Sequence, residues 1–588
     1  MVGPYRPVFD IQDPIIAVSC GNSLVFKTGS QRSECPTFIN KVAPCRQACP
    51  IGIDIPSAFY EASKGNLDQA LSIFLQENPL PGVCGRVCYH PCEVKCNRGE
   101  YDEPINIRSF ERYLSDHGRV DIGKDFQIHS KKYKIAVVGS GPAGLSAVYH
   151  LARSGYRVTL FEAKPELGGM LRYGIPTYRL PRRILDREIK RIVSLGIETH
   201  PGMKIGKDLV WEALEPFDAI FLSFGLQLGS TLPRTEDSGD SILTGLKFLE
   251  NPRKYSLGKP TQKILIIGGG NVAIDVARTL LRLRRGEGNC ITLVCPELRD
   301  QMPALEEEVE EALDEGITIL DGWAPYKVHQ RNGKLSSLDF FRAKIIKHGS
   351  TGTLRIIRMG KETRKHRADK IILAIGQVLE SSPLPLGIKV NMGRIVTDRL
   401  ERTDIPRVFA GGDSIGCRAF VAEAIASGKM GAFAIACFLE GKEAEREFQD
   451  HQIGDAQGFS FNHFLNIPLE KPVDLRKVVT FDQINTIFFR ESARNRPDQM
   501  EIAVRKKTFK EVTRGLKSLK MEDETSRCFK CGTCIDCEYC MDFCPDISIL
   551  KKDGPLGLYS FDEDHCKGCG MCYVACPRHV IEMGREVR

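Results

Sequence analysis

The sequence predicts an α/β chain with two Rossmann-like domains at its centre, a helical cysteine-bearing domain before them and a compact cysteine-rich module after them. Three observations carry this. Two segments, 131–162 and 263–295, each read strand, glycine turn, helix, strand. Short apolar strands continue the alternation at "DAIFLSFG" from 218, "SLDFFRAKII" from 337, "TLRIIRM" from 353 and "KIILAIG" from 370. Apart from Cys20, the 22 cysteines crowd the two ends, at 35–96 and 528–576, and between those groups stand only Cys290, Cys295, Cys417 and Cys437.

Length and composition set the frame. At 588 residues, 42% hydrophobic and 27% charged, the chain has room for roughly three to five domains with ordinary cores. No secretory signal is read in Met1–Cys20, and no apolar run is seen that approaches the roughly 18 residues of a spanning helix. A cytoplasmic protein with no membrane insertion is expected, and thiols there point to metal rather than to a disulfide scaffold. Residues 521–588 carry 13 acidic and 8 basic side chains, a net of −5, so with +7 for the whole chain the remainder carries +12. The basic residues form no nucleic-acid reading motif, which excludes a nucleic-acid partner. Arg355–Lys370 and Arg505–Lys520 read as a solvated strand edge and a solvated linker helix, with a docking face for an acidic redox partner as the alternative.

In chain order, residues 1–40 hold scattered Pro and Gly and read as an arm lying on a neighbour. Residues 41–130 are helical, "IPSAFYEASKGNLDQALSIFLQEN" repeating apolar residues at helical spacing. Residues 131–250 and 376–445 make the first nucleotide-binding domain. Its turn carries Gly139, Gly141 and Gly144, with Pro142 and Ala143 between them. The first glycine makes the tight turn, the second lets backbone approach a pyrophosphate, and the third packs helix on strand. The anion sits on the helix N-terminus, and Glu162, closing the second strand, is placed to accept from ribose hydroxyls. Residues 251–375 make the second such domain, with Gly268, Gly269 and Gly270, then Asn271 and Val272 opening the helix and Ala273 where a third glycine often stands. Two nucleotide folds in one chain suggest a flavin and a nicotinamide with hydride passing between them. Residues 446–520 are a less patterned linker leading to the terminal module, 521–588.

That module contains C-x2-C-x2-C-x3-C-P twice, at Cys534, Cys537, Cys540, Cys544 and at Cys566, Cys569, Cys572, Cys576. This is the two-cluster bacterial ferredoxin pattern, in which the fourth cysteine of each run serves the other cluster. One [4Fe–4S] cluster is therefore expected on Cys534, Cys537, Cys540 and Cys576, the other on Cys566, Cys569, Cys572 and Cys544. Zinc also binds CxxC pairs, but two complete runs with both prolines disfavour it. The extra pair Cys528 and Cys531 either shifts the register of ligation or stays as free thiols. At the other end, Cys45, Cys49, Cys84, Cys88, Cys92 and Cys96 are spaced so that neighbours meet on a helical turn or a tight loop.

"GGMLRYGIPTYRLP" (168–181), "GGGNVAIDVAR" and "VFAGGD" (408–413) resemble the small subunit of NADPH-dependent glutamate synthase and its relatives, over about residues 40–445. The resemblance implies FAD on the first fold, a nicotinamide dinucleotide on the second, Gly169, Met170 and Gly412 beside the cofactor, and Asp413 on the FAD ribityl chain. The N-terminal cysteines resemble the iron–sulfur domain shared with dihydropyrimidine dehydrogenase. That implies one [4Fe–4S] site at Cys49, Cys88 and Cys92 with Glu111 as fourth ligand, and a second site including Cys45 and Cys96. The usual upstream CxxC is missing, which leaves Cys35 or Cys84 to complete the second site, or a pair of buried thiols beside a single cluster. The chain also departs from NADPH-using relatives after the second nucleotide strand, where a tyrosine and an arginine pair are replaced by Cys295, Pro296 and Glu297. Arginine would neutralise a 2′-phosphate, whereas Glu297 repels it and suits the free 2′-hydroxyl of NADH. Arg299, Arg282, Arg284 and Arg285 stand nearby, and Glu297 as a plain surface acid is the alternative.

Hydride carries two electrons and a cluster accepts one, so a flavin between NADH and clusters is a chemical adaptor. Hydride transfer needs stacking and no general base, so no catalytic acid or base is nominated. The expectation is an NAD(P)H-dependent FAD and iron–sulfur oxidoreductase. It would exchange electrons with a ferredoxin or a larger partner reductase in a hetero-oligomer, resembling the flavoprotein serving dissimilatory sulfite reductase. A self-contained reductase of a small molecule is the rival, although 446–520 is too short for a substrate barrel; a wiring-only subunit and flavin-based bifurcation are further alternatives.

Overall fold

Five apolar runs assemble into the first parallel sheet, in the order Val408–Ala410, Ala219–Leu222, Lys134–Val138, Arg157–Glu162, Glu198–Pro201. The computed structural model describes residues 27–125, 130–232, 241–255, 261–288, 290–331, 334–348, 353–417, 419–467, 472–551 and 559–586. The three central strands are buried along nearly their whole length, as expected where helices cover both faces of a parallel sheet. Helix Pro142–Arg153 follows strand Lys134–Val138, and helix Val421–Glu440 packs across that helix. The crossing is so close that a Cβ on Gly428 would meet the Ala143 carbonyl oxygen at 2.0 Å.

The second parallel sheet runs Thr318–Asp321, Ile291–Cys295, Ile264–Ile267, Lys370–Leu373, Ile242–Thr244. Strand Ile242–Thr244 and helix Gly245–Glu250 thus belong to the second domain, not to the first as a boundary at 250 implied. Sequence order hides this, because the pairing is with residues about 130 positions later. A three-stranded antiparallel sheet, Trp323–Arg331, Lys334–His348, Thr353–Arg367, completes the domain. Its last strand is an edge strand, and Arg355, Arg358, Lys361 and Lys365 on it are exposed.

The helical domain contains Ile55–Ser63, Leu67–Leu75, Pro81–Val87 and Ile107–His117. The first and last described strands close on each other. Strand Glu34–Phe38, from the expected arm, pairs antiparallel with Ile581–Arg585, and Asn40–Val42 pairs with Val473–Val478 from the expected linker. Arg505–Lys520 is not one solvated helix. Arg505 ends the short helix Ile502–Arg505, is buried, and its guanidinium reaches Glu315 at 3.4 Å, while the next helix begins only at Ser518. Val421–Glu440 is, by length and composition, apolar enough to cross a membrane, a run the sequence reading passed over, yet 72% of its apolar window is buried inside the fold.

Fully buried carboxylates tie the helical domain down. Glu188 accepts from the backbone N–H groups of Gly82 (2.6 Å) and Val83 (2.9 Å), the unpaired donors at the start of helix Pro81–Val87. Glu188→Ala strands both donors at about 1–3 kcal/mol each. Thermal unfolding should show a loss of about 2–5 kcal/mol, with Glu188→Gln losing less because it keeps an acceptor. An alanine variant as stable as the native chain would refute this role.

Candidate functional site

Strand Lys134–Val138 ends in a turn in which Gly139 has φ +108° and Gly144 lies so close that a Cβ there would meet the Gly139 carbonyl oxygen at 1.8 Å. Gly141 differs. A Cβ on it would meet nothing within 4 Å among the described residues, so its backbone faces open space at the N-terminus of helix Pro142–Arg153. Gly169, φ +49°, rests against Gly141, with its virtual Cβ 2.7 Å from the Gly141 Cα. Gly412, φ +71°, sits against Ala143. The structure thereby gathers Gly139–Gly144, Gly169 and Gly412–Asp413 around one cradle, with Met170 starting the short helix after Gly169. This space suits a dinucleotide pyrophosphate on a helix N-terminus. Burial pushes the Asp413 carboxyl up, and the Cys417 thiol is its hydrogen-bond donor, at 3.7 Å.

Glu162 does more than wait for a ribose. Its carboxylate accepts from the Ser140 N–H (2.8 Å), the Ser140 hydroxyl (2.5 Å) and the Lys164 N–H (2.8 Å), so it clamps the glycine turn. Three partners went unread in the sequence. The Ser223 hydroxyl donates within the turn, at 2.9 Å from the Gly139 carbonyl oxygen. Ser427 accepts from the Gly412 N–H (2.6 Å) and donates to the buried Glu401. Lone serines and an acid in unpatterned stretches give no signal of this kind.

The second turn repeats the logic. Gly268 has φ +134° and packs on Ala374, while Gly270 faces open space among the described residues. Asn271 accepts from the Leu305 N–H at 3.0 Å, fixing the neighbouring loop, and Val272 lies against Gly245. Glu297 leans over this turn, its Oε2 2.8 Å from a virtual Cβ on Gly269. That oxygen is buried with no hydrogen-bond partner among the described residues, and burial pushes the carboxyl up. Arg282 is engaged elsewhere, in a pair with Glu315 at 2.7 Å with both side chains fully buried, and Arg284 donates to the Gln262 carbonyl oxygen at 2.9 Å.

The thiols ring cavities. One, of about 540 Å³ including its mouth, is lined by Cys534, Cys537, Cys540 and Cys576 together with Phe38 and Tyr559. Burial and the neighbouring Cys576, Cys534 and Cys537 push the Cys540 thiol up to about 12. Cys572, pushed up to about 11 chiefly by burial, feels Cys566, Cys544 and Cys569 as its thiol neighbours. A second cavity, of about 360 Å³ including its mouth, is lined by Cys45, Cys96, Cys528 and Cys531. Cys35 is not in its wall; it lies in strand Glu34–Phe38 opposite Gly584. A third group joins Cys49, Cys88 and Cys92 with both Glu111 and Cys84. Burial raises all five, and Glu111 accepts from the Asn78 amide at 2.7 Å. Among the described residues no three His, Cys, Asp or Glu side chains close on a point where one metal ion would sit. Thiols spread around a cavity suit a cubane with one thiolate per corner.

Residues 133–428 match the family "Pyridine nucleotide-disulphide oxidoreductase". The chain belongs to that family. Residues 26–121 match dihydropyrimidine dehydrogenase domain II, which carries a 4Fe-4S cluster, and 559–582 match the 4Fe-4S binding domain. This oxidoreductase is therefore NAD(P)H-dependent, binds FAD and NAD(P)H on its two Rossmann-like domains and carries [4Fe–4S] clusters at both ends. It is 33% identical over 522 residues to the NADP(+)-dependent formate dehydrogenase subunit beta of Moorella thermoacetica, covering 83% of this chain and 70% of that one. It is 35% identical to the NADPH-Fe(3+) oxidoreductase subunit beta of Geobacter sulfurreducens, covering 64% of this chain and 61% of that one. It is 35% identical to the NAD-dependent dihydropyrimidine dehydrogenase subunit PreT of Escherichia coli, covering 68% of this chain and 92% of that one.

The Gly139–Gly144 contact gives a direct check on the flavin cradle. Gly144→Ala must push helix from strand, and the variant should purify with most of its FAD missing, read from flavin absorbance per chain.

Proposed function

We propose that this oxidoreductase is the NADH-oxidising, electron-distributing subunit of a cytoplasmic hetero-oligomer whose partner is a larger redox enzyme or a ferredoxin. One observation carries it: thiol groups succeed one another from beside the flavin cradle to the protein surface. Tyr89, next to Cys88, stacks on Phe420 at 4.4 Å and donates to Glu423 at 2.6 Å, at the start of the helix that packs over Ala143. Cys45, inside helix Pro44–Ala48, and Cys49, which caps it, stand four positions apart, about 6 Å of helical rise. Cys531 and Cys534 are three positions apart, at most about 10 Å of chain. At the far end Cys569 is exposed, with apolar Phe543, Ile547, Met571 and Val574 also exposed in the same module. All three relatives described above are named as subunits, which supports a hetero-oligomer.

The two terminal sites take Cys534, Cys537, Cys540, Cys576 and Cys566, Cys569, Cys572, Cys544 as ligands. The site nearest the flavin takes Cys49, Cys88 and Cys92 with Glu111, or Cys84 beside it, in fourth place. FAD, when bound, accepts a hydride as an electron pair and releases the electrons singly to one-electron clusters. The chain's part is positional: Gly141 and Gly270 open the backbone to pyrophosphates, and the Glu162 and Ser427–Glu401 contacts hold the turns.

Glu297 supports NADH over NADPH. Its unpartnered oxygen is free to accept from a ribose hydroxyl, its charge opposes a 2′-phosphate, and Arg282 is locked to Glu315. The names of the relatives divide on this point, so the residue at the turn decides. Glu297→Ala should raise KM for NADH about tenfold, the equivalent of one good hydrogen bond, and shrink the NADH advantage in kcat/KM. A native chain faster with NADPH overturns the preference. For the function itself, the anaerobic isolated chain should reduce a viologen dye with NADH; no dye reduction by a fully flavinated, iron-loaded chain would sink it.

A further inference from the structure

The pair Cys528 and Cys531 stands outside both ferredoxin runs, and Cys45 and Cys96 lack the upstream CxxC that the resemblance to the dihydropyrimidine dehydrogenase iron–sulfur domain implies. The second cavity brings these two deficits together. We propose that Cys45, Cys96, Cys528 and Cys531 hold a further [4Fe–4S] cluster, shared between the helical domain and the C-terminal segment. The inference rests on the iron–sulfur reading but concerns a ligand set drawn from both ends of the chain.

The cavity wall is built for it. Cys45 lies in helix Pro44–Ala48, Cys96 directly precedes the turn Asn97–Glu100, and Cys528 caps helix Ser518–Arg527. Lys530, φ +54°, bends the chain tightly enough that both cysteines of the pair reach the cavity, and its N–H points at the Cys528 sulfur at 3.4 Å. The Asn97 amide donates to the Cys531 sulfur at 3.5 Å, across 434 residues of sequence. Donors aimed at sulfur are the surroundings that stabilise cluster thiolates.

The segment is also held there independently of any metal. Arg98 donates to the Arg527 carbonyl oxygen (2.9 Å) and stacks over Phe529 (4.9 Å), while Arg527 reaches Asp102 at 3.2 Å. Glu524 accepts from the Asn106 N–H at 2.8 Å. The candidates for this position in the sequence are placed elsewhere, Cys35 in the terminal strand pair and Cys84 beside Glu111 and Cys88.

The test uses the full-length, anaerobically prepared chain, with iron, sulfide and zinc counted per flavin and the electron paramagnetic resonance spectrum recorded after dithionite. C528S/C531S and C45S/C96S should each lose about four irons, one cubane's worth. Both should delete the same resonance, keep the flavin, and contrast with Cys35→Ser, which should change nothing. Unchanged iron and spectrum in C528S/C531S, different resonances lost by the two pairs, or zinc lost in place of iron would each overturn the ligand set. Should the double variants lose flavin and so fail to fold, Cys528→Ser alone decides: one shifted resonance supports the site and an unaltered spectrum refutes it. A native chain with no iron removes the whole iron–sulfur reading, whereas native iron with an unresponsive spectrum removes only this site.

Discussion

Four buried carboxylates hold the helical domain against everything around it. Glu77 accepts from Phe461 N–H (3.0 Å) and Ser460 (2.7 Å) and pairs with the buried Lys429 (2.8 Å). Glu188 takes the donors of Gly82 and Val83, Glu524 those of Asn106 and Asn495, and Glu93 that of Arg108 together with the Arg494 guanidinium. Most of these acceptors sit at helix starts, where free N–H groups and the helix dipole favour negative charge. One apolar core also runs without a break from the helical domain, through Phe59, Phe74 and Phe110, into the first nucleotide domain at Leu145, Tyr149 and Leu185. Charged hydrogen bonds, about 1.5–3 kcal/mol each, add a directionality that apolar contact lacks.

The nucleotide cradles depend on close approach instead. At Gly144 and Gly428 a methyl group would sit about 2 Å from a carbonyl oxygen, well inside contact distance. Helix Val421–Glu440 can therefore lie across Pro142–Arg153 and carry Ser427 to the Gly412 turn. The hydrophobic length of that helix is a consequence of being covered by both the first sheet and the helical domain. Its buried Lys429 answers Glu77 across the boundary, so the flavin side and the thiol side are fixed by one helix.

Local signals made much of this legible in the sequence. Strand–glycine–helix units are short-range patterns, so both Rossmann-like folds and the glycines at 139, 144 and 268 could be read directly. The two ferredoxin runs are equally local. What escaped was pairing at a distance: Ile242–Thr244 joining a strand at 370, Glu34–Phe38 meeting Ile581–Arg585, and Arg505 buried against Glu315. Cys528 and Cys531 show the limit most clearly. Their spacing left them either shifting the register of ligation or standing as free thiols, and the thiols that share their cavity lie more than 400 residues upstream, beyond the reach of any spacing rule. The Ser427–Glu401 contact escaped for a different reason, since a single serine on a helix looks the same whether or not it holds a turn.

A cluster shared by Cys45, Cys96, Cys528 and Cys531 links metal content to domain docking. Closing a loop of about 430 residues constrains the unfolded chain by about 6 kcal/mol on chain-entropy scaling. In the folded chain most of that constraint is already met, because strand Glu34–Phe38, Arg98 and Glu524 bind the C-terminal segment without metal. The protein contacts therefore win as the source of docking, and the cluster adds stability mainly against complete unfolding. Iron loss should leave the terminal module in place while opening the cavity to solvent. That ordering suits a carrier whose thiols must meet iron in a preformed pocket: the scaffold sets the geometry first, and the metal then fills a site whose four ligands come from opposite ends of one polypeptide.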